Sequence, residues 1–69
     1  MKRGDEVVYW APHLDKRTDS GEAGFVKRVR DDGWPWVVFI RAFPEATPEN
    51  LDEWTGALCD PSRVIKVSK

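Results

Sequence analysis

Apolar and polar residues alternate along this chain in short runs, each closed by a turn signal, and the pattern predicts strands rather than long helices. Asp5 to Ala11 is β-branched and aromatic and stops at Pro12, which predicts a first strand. Alternation puts Val7 and Tyr9 on one face, taken as inward, and Val8 and Trp10 on the other. His13 to Gly21 is polar and aperiodic and reads as a long loop. Glu22 to Arg30 predicts a second strand. Val26 and Val29 stand three apart there, so a bulge at Lys27-Arg28 is needed to bring both to one face. Asp31-Asp32-Gly33-Trp34-Pro35 predicts a hairpin turn. Trp36 to Ala42 predicts a third strand, apolar on both faces until Arg41, as in a central strand covered on both sides.

After Phe43-Pro44 the pattern changes. Thr47 as N-cap, Pro48 at the first helical position and Glu49 behind it predict a helix of about two turns, ending before Gly56. Leu51 and Trp54, three apart, are expected to touch the sheet; two readings stand side by side, one in which they cover Phe39 and Val37 and one in which that aromatic face is open to a partner. Thr55 to Cys59 predicts a fourth strand and Val64 to Ser68 a fifth. Between them, Asp60-Pro61-Ser62-Arg63 predicts a single 3-10 turn. The expected core is Tyr9, Val26, Val38, Ile40, Ala57 and Val67.

Sixty-nine residues suit one domain, 1–69, with the stretch 43–54 as an insert between the third and fourth strands. The lone cysteine, Cys59, forms no internal disulfide and fits a reducing compartment. Cys59 and the single histidine, His13, are too few for a four-ligand zinc site, so no metal or other cofactor is expected. No run is long and apolar enough for a transmembrane helix, and residues 1–5 lack the apolar core of a signal peptide. A cytoplasmic protein without membrane partners is the expectation. The net charge of −1 hides an asymmetry. The insert carries Glu45, Glu49, Asp52 and Glu53 and no base, and the rest of the chain is net basic by three.

Three short pieces carry a resemblance: Gly4-Asp5-Glu6-Val7-Val8-Tyr9, Glu22-Ala23-Gly24-Phe25-Val26 and Asp60-Pro61-Ser62-Arg63-Val64. Their order resembles the SH3-like barrel superfamily, including KOW and Tudor-type modules. Val38-Phe39-Ile40-Arg41, followed by Thr55-Gly56-Ala57, also looks like small SH3-like proteins encoded by bacteriophages. The resemblance implies a mainly β fold: a five-stranded SH3-like barrel with a short helical insert between strands three and four and a 3-10 turn before strand five. The acidic insert departs from the minimal pattern. The superfamily is functionally diverse, so fold does not set activity.

Catalytic chemistry is not expected. A Cys59–His13 pair lacks an orienting third group and an oxyanion donor, and Cys59 reads better as a small buried hydrophobe. The aromatic surplus points instead to protein binding. Trp10, Phe25, Trp34 and Phe39 are the expected partner-binding set, left outward by alternation or turn position. An aromatic cage for a methylated cation would draw on Tyr9, Trp10, Trp34, Trp36 and Phe39 with Asp31 or Asp32. The alternative is a nucleic-acid-binding barrel using Lys27, Arg28, Arg30 and Arg41. The leading expectation is a small non-enzymatic module, phage-encoded, that binds a host or phage protein.

Overall fold

The computed structural model describes residues 1–10 and 21–67. The loop expected over 13–21 therefore lies outside the described residues, Gly21 excepted, and so do His13 and the last residue of the fifth strand. Five strands form one antiparallel sheet: β1 (Glu6–Tyr9), β2 (Glu22–Val29), β3 (Pro35–Phe39), β4 (Ala57–Leu58) and β5 (Val64–Lys66). Their order is β4-β3-β2-β1-β5, so the first and last strands are neighbours. β2 is long enough to serve two partners: its first half pairs with β1 and its second with β3. No helix among the described residues is long and apolar enough to cross a membrane.

The turns follow local chemistry. The β2–β3 hairpin closes with the Arg30 N–H on Trp34 O at 2.8 Å and the Gly33 N–H on Arg30 O at 2.9 Å. Gly33 takes φ +92°, a value that side chains resist. Before β5, Pro61–Arg63 forms the expected 3-10 turn. Asp60 Oδ1 accepts from the Ser62 N–H at 2.9 Å and from its hydroxyl at 2.8 Å. These bonds hold the Asp60 carboxyl below its ordinary range. The bulge in β2 falls at Lys27: Val26 pairs with Val37, and Arg28 with Trp36.

The sheet is covered on both faces. One core joins Val7, Val26, Val37, Cys59 and Val64, with Tyr9, Val29 and Phe39 packed around it. A second joins Val38, Ala46 and Leu51, flanked by Phe25, Phe43 and Trp54. This corrects the expected phase of strand three. Val38 is fully buried, but under the connection from β3 to β4, while Val37 faces the first core. Val26 is buried as expected. Tyr9, Ile40 and Val67 are only half-buried, and Ala57 is exposed because β4 is a two-residue edge strand. Leu51 and Trp54 do pack on the sheet, over Val38 and Phe25 rather than over Phe39 and Val37.

The helical insert is a second correction. The connection holds one 3-10 turn, Leu51–Glu53, and no longer helix. Successive N–H groups bond three residues back: Ala46 to Phe43 O, Asn50 to Thr47 O, Glu53 to Asn50 O and Trp54 to Leu51 O. Asn50 explains the interruption. Its Oδ1 accepts from the Thr47 N–H at 2.7 Å and from the Trp54 indole at 3.0 Å, while Nδ2 donates to Glu45 O at 3.0 Å. A side chain that serves local backbone groups competes with the helix ladder. Thr47 still caps, accepting from the Glu49 N–H at 3.3 Å, but it caps a turn.

Cys59 lies in the first core, and burial pushes its thiol up to about 11. Two units above an ordinary thiol means roughly 100-fold less thiolate at neutral pH. Iodoacetamide at pH 8 is therefore expected to label the native protein at least about ten-fold more slowly than the urea-unfolded chain. Equal rates would place Cys59 outside the core.

Candidate functional site

The bulge at Lys27 turns part of β2 toward the β3–β4 connection, and an open cleft of about 420 Å³ lies between them. Its sheet wall is Lys27, Arg28 and Trp36; its other wall is Asp52, Glu53, Trp54, Thr55 and Gly56. Arg28 and Trp36 share a face because they are register partners. The chain crosses this face at Gly56, where a β-carbon would stand 3.2 Å from Trp36 Cβ and 3.5 Å from Lys27 Cδ. Trp54 is held from both sides: its indole donates to Asn50, and its ring lies 5.4 Å from that of Phe43.

Two cations fasten the connection to the sheet. Lys27 Nζ donates to Trp54 O at 2.7 Å. Arg3 donates to Lys27 O at 2.9 Å and meets Asp52 at 3.1 Å. The Arg3–Asp52 pair is largely exposed, so it orients the wall more than it stabilises the fold. Arg28 and Glu53 are exposed charges on opposite walls.

The residues expected to form a partner-binding set are not brought together. Trp10 follows β1, its N–H on Arg63 O at 3.0 Å, on the side of Val8. Val8 pairs with Ala23 and Ile65, and Ile65 is 48% exposed. Phe25 flanks the second core and lines another hollow, of about 470 Å³, with Gly4, Asp5, Glu6, Pro48, Lys66 and Val67. Phe39 packs on the first core, 5.9 Å from the Tyr9 ring. Trp34 is half-buried and lies in the hairpin turn before β3. The rings considered for a cation cage divide in the same way. Tyr9 and Phe39 lie on the first core, and Trp36, paired with Arg28, on the opposite face.

The four basic residues of the nucleic-acid alternative are also spread out. Lys27 is turned onto the Trp54 carbonyl. Arg30 is bonded to Asp32, which raises the guanidinium's pKa and lowers the carboxyl's. Arg41 meets Glu22 at 3.5 Å, and Arg28 lines the cleft. Among the described residues, no three His, Cys, Asp or Glu side chains gather as a metal set.

Sequence reasoning missed the cleft that Trp36 and Trp54 both line. One signal for half of it was present: a bulge at Lys27 puts Arg28 opposite Trp36 once the hairpin is closed. The approach of Trp54 depends on how the connection crosses at Gly56, which no local pattern encodes. Comparison with family models, with curated proteins and with solved structures finds no match to this chain.

Proposed function

We propose that the chain is an SH3-like barrel acting as a small, non-enzymatic, cytoplasmic protein-interaction module that takes its partner at the Trp36–Trp54 cleft. The strand order β4-β3-β2-β1-β5 and the 3-10 turn before β5 support the fold reading. The observation that carries the functional reading is one open cleft lined by two half-buried tryptophans, Trp36 from the sheet and Trp54 from the connection. Half-buried tryptophan is apolar over most of its surface and keeps one polar handle, which suits recurrent protein contact. Trp34 sits in the hairpin turn, and Trp10, Phe25 and Phe39 lie elsewhere; these serve folding or a separate contact. The resemblance to phage-encoded barrels makes a host or phage protein the partner class.

The nucleic-acid reading is weaker on the same geometry. Phosphate binding wants cations free to face one surface. Lys27, Arg30 and Arg41 each already have a partner.

The test compares wild type with Trp36→Ala and Arg30→Glu, each first shown to be folded. A partner captured from lysate is expected to stay bound at 0.5 M salt and to be lost with Trp36→Ala but not with Arg30→Glu. Labelled 20-nucleotide single-stranded and duplex DNA and RNA are expected to show no anisotropy change. Tight, salt-sensitive oligonucleotide binding abolished by Arg30→Glu would overturn the proposal.

A further inference from the structure

The hairpin between β2 and β3 carries a chemistry of its own. Asp32-Gly33 is the one place in the chain where an Asp or Asn precedes glycine; each of the others precedes a residue with a side chain. The backbone nitrogen after an aspartate can attack its side-chain carbonyl carbon, closing a five-membered succinimide and expelling a carboxyl oxygen as water. A β-carbon on the attacking residue hinders that approach, and glycine has none. Water then opens the ring at either carbonyl. Opening at Cγ restores aspartate. Opening at the main-chain carbonyl leaves isoaspartate, with the backbone rerouted through the former side chain. One water leaves and one returns, and nothing is oxidised or reduced.

In the folded hairpin both reacting groups are held. Arg30 Nε donates to Asp32 Oδ1 at 3.2 Å, and a terminal nitrogen of Arg30 donates to Oδ2. The Trp34 N–H donates to Oδ1 at 3.1 Å. These donors grip both oxygens, one of which has to take up protons and leave. The Arg30 bond first, and the Trp34 N–H second, hold the carboxyl below its ordinary range. The acid form that the ring closure needs is therefore scarce at neutral pH. The nucleophile is engaged as well, since the Gly33 N–H donates to Arg30 O at 2.9 Å. Arg30 thus holds the carboxyl with its guanidinium and the amide with its carbonyl. Water still reaches the site, because the Asp32 side chain is 46% exposed.

We propose that Asp32-Gly33 is a latent site of isoaspartate formation and that the Arg30 clamp keeps it closed in the folded protein. Loss of the clamp opens it. Isoaspartate puts one extra backbone carbon into the turn between Val29 and Pro35. The bonds from the Arg30 N–H to Trp34 O and from the Gly33 N–H to Arg30 O then lose their spacing, and this end of the hairpin frays.

The test follows the tryptic peptide that contains Asp32 during incubation at pH 7.4 and 37 °C. The isoaspartyl form has the same mass, separates chromatographically and is located by electron-transfer fragmentation. Wild type in urea supplies the rate without the clamp. Native wild type is expected to isomerise at least about ten-fold more slowly than that reference. Arg30→Ala, shown to be folded by circular dichroism, is expected to lose most of the protection. Arg30→Lys, which keeps the charge without the two-nitrogen fork, is expected to lose part of it. Should Arg30→Ala fail to fold, Arg30→Lys decides alone. Folded variants that isomerise no faster than native wild type would overturn the proposal, and so would native wild type that isomerises as fast as the unfolded chain.

Discussion

Replacing Leu51 by alanine is expected to remove about 2–5 kcal/mol of stability, most of what a domain of this size holds in total, about 3–5 kcal/mol. Leu51 is fully buried between Val38 and Ala46, with Phe25, Phe43 and Trp54 around it. Removing its isobutyl group loses transfer free energy and leaves a cavity in a core of three fully or nearly fully buried side chains. Beyond this packing, the connection is tied to the sheet by Lys27 Nζ on the Trp54 carbonyl and by Arg3. Its backbone bonds are single turns, and Arg3–Asp52 is an exposed pair. Urea melts followed by circular dichroism should show a large fall in midpoint, with a substantial unfolded fraction at 25 °C. An unchanged midpoint would mean that the connection does not cover the sheet.

Gly24→Ala is expected to be comparably damaging for the opposite reason. Gly24 sits where β2 passes from one partner to the other, paired with Val7 on one side and Phe39 on the other. A β-carbon there would fall 2.6 Å from the Val38 carbonyl oxygen and 2.7 Å from Val37 Cγ1. The first contact is backbone of β3, which cannot yield without distorting the hairpin. Overpacking of this kind costs about 1–3 kcal/mol and more where the obstacle is rigid. Gly33→Ala provides the contrast. It meets nothing within 4 Å but must hold φ +92°, so its cost is limited to about 1–2 kcal/mol of backbone strain. Thermal melts of the two variants should rank Gly24→Ala well below Gly33→Ala. The reverse order would mean that β2 and β3 do not approach so closely at this point.

These two sites show what the sequence could and could not convey. Gly24 before Phe25-Val26 permits a bend or bulge in a strand but says nothing of what lies against it, and Val26 with Val29 already required a bulge. Asp60-Pro61 announced its turn because both the cap and the proline act within four residues. The phase of β3 was different. Trp36 to Ile40 is apolar at every position, so alternation gives no preference between its two faces. The choice falls to the register with β2, where the bulge aligns Val37 with Val26. The helix expected from Thr47-Pro48 failed on one competing side chain, since Asn50 bonds the backbone that a helix would have used. The cleft was least legible of all. It forms between a strand and a connection, where the chain crosses Trp36 at Gly56.

The four tryptophans have one more consequence. Trp10 stands at the junction of β1 with β5, Trp34 at the hairpin, Trp36 on the sheet wall of the cleft and Trp54 on the connection above the second core. Each is half-buried, so each ring borders both protein and solvent. The molecule thus carries a natural spectroscopic label in four separate regions. Single Trp→Phe replacements would let emission or indole resonances be assigned one by one, so that local loosening of the connection could be told apart from loss of the whole sheet.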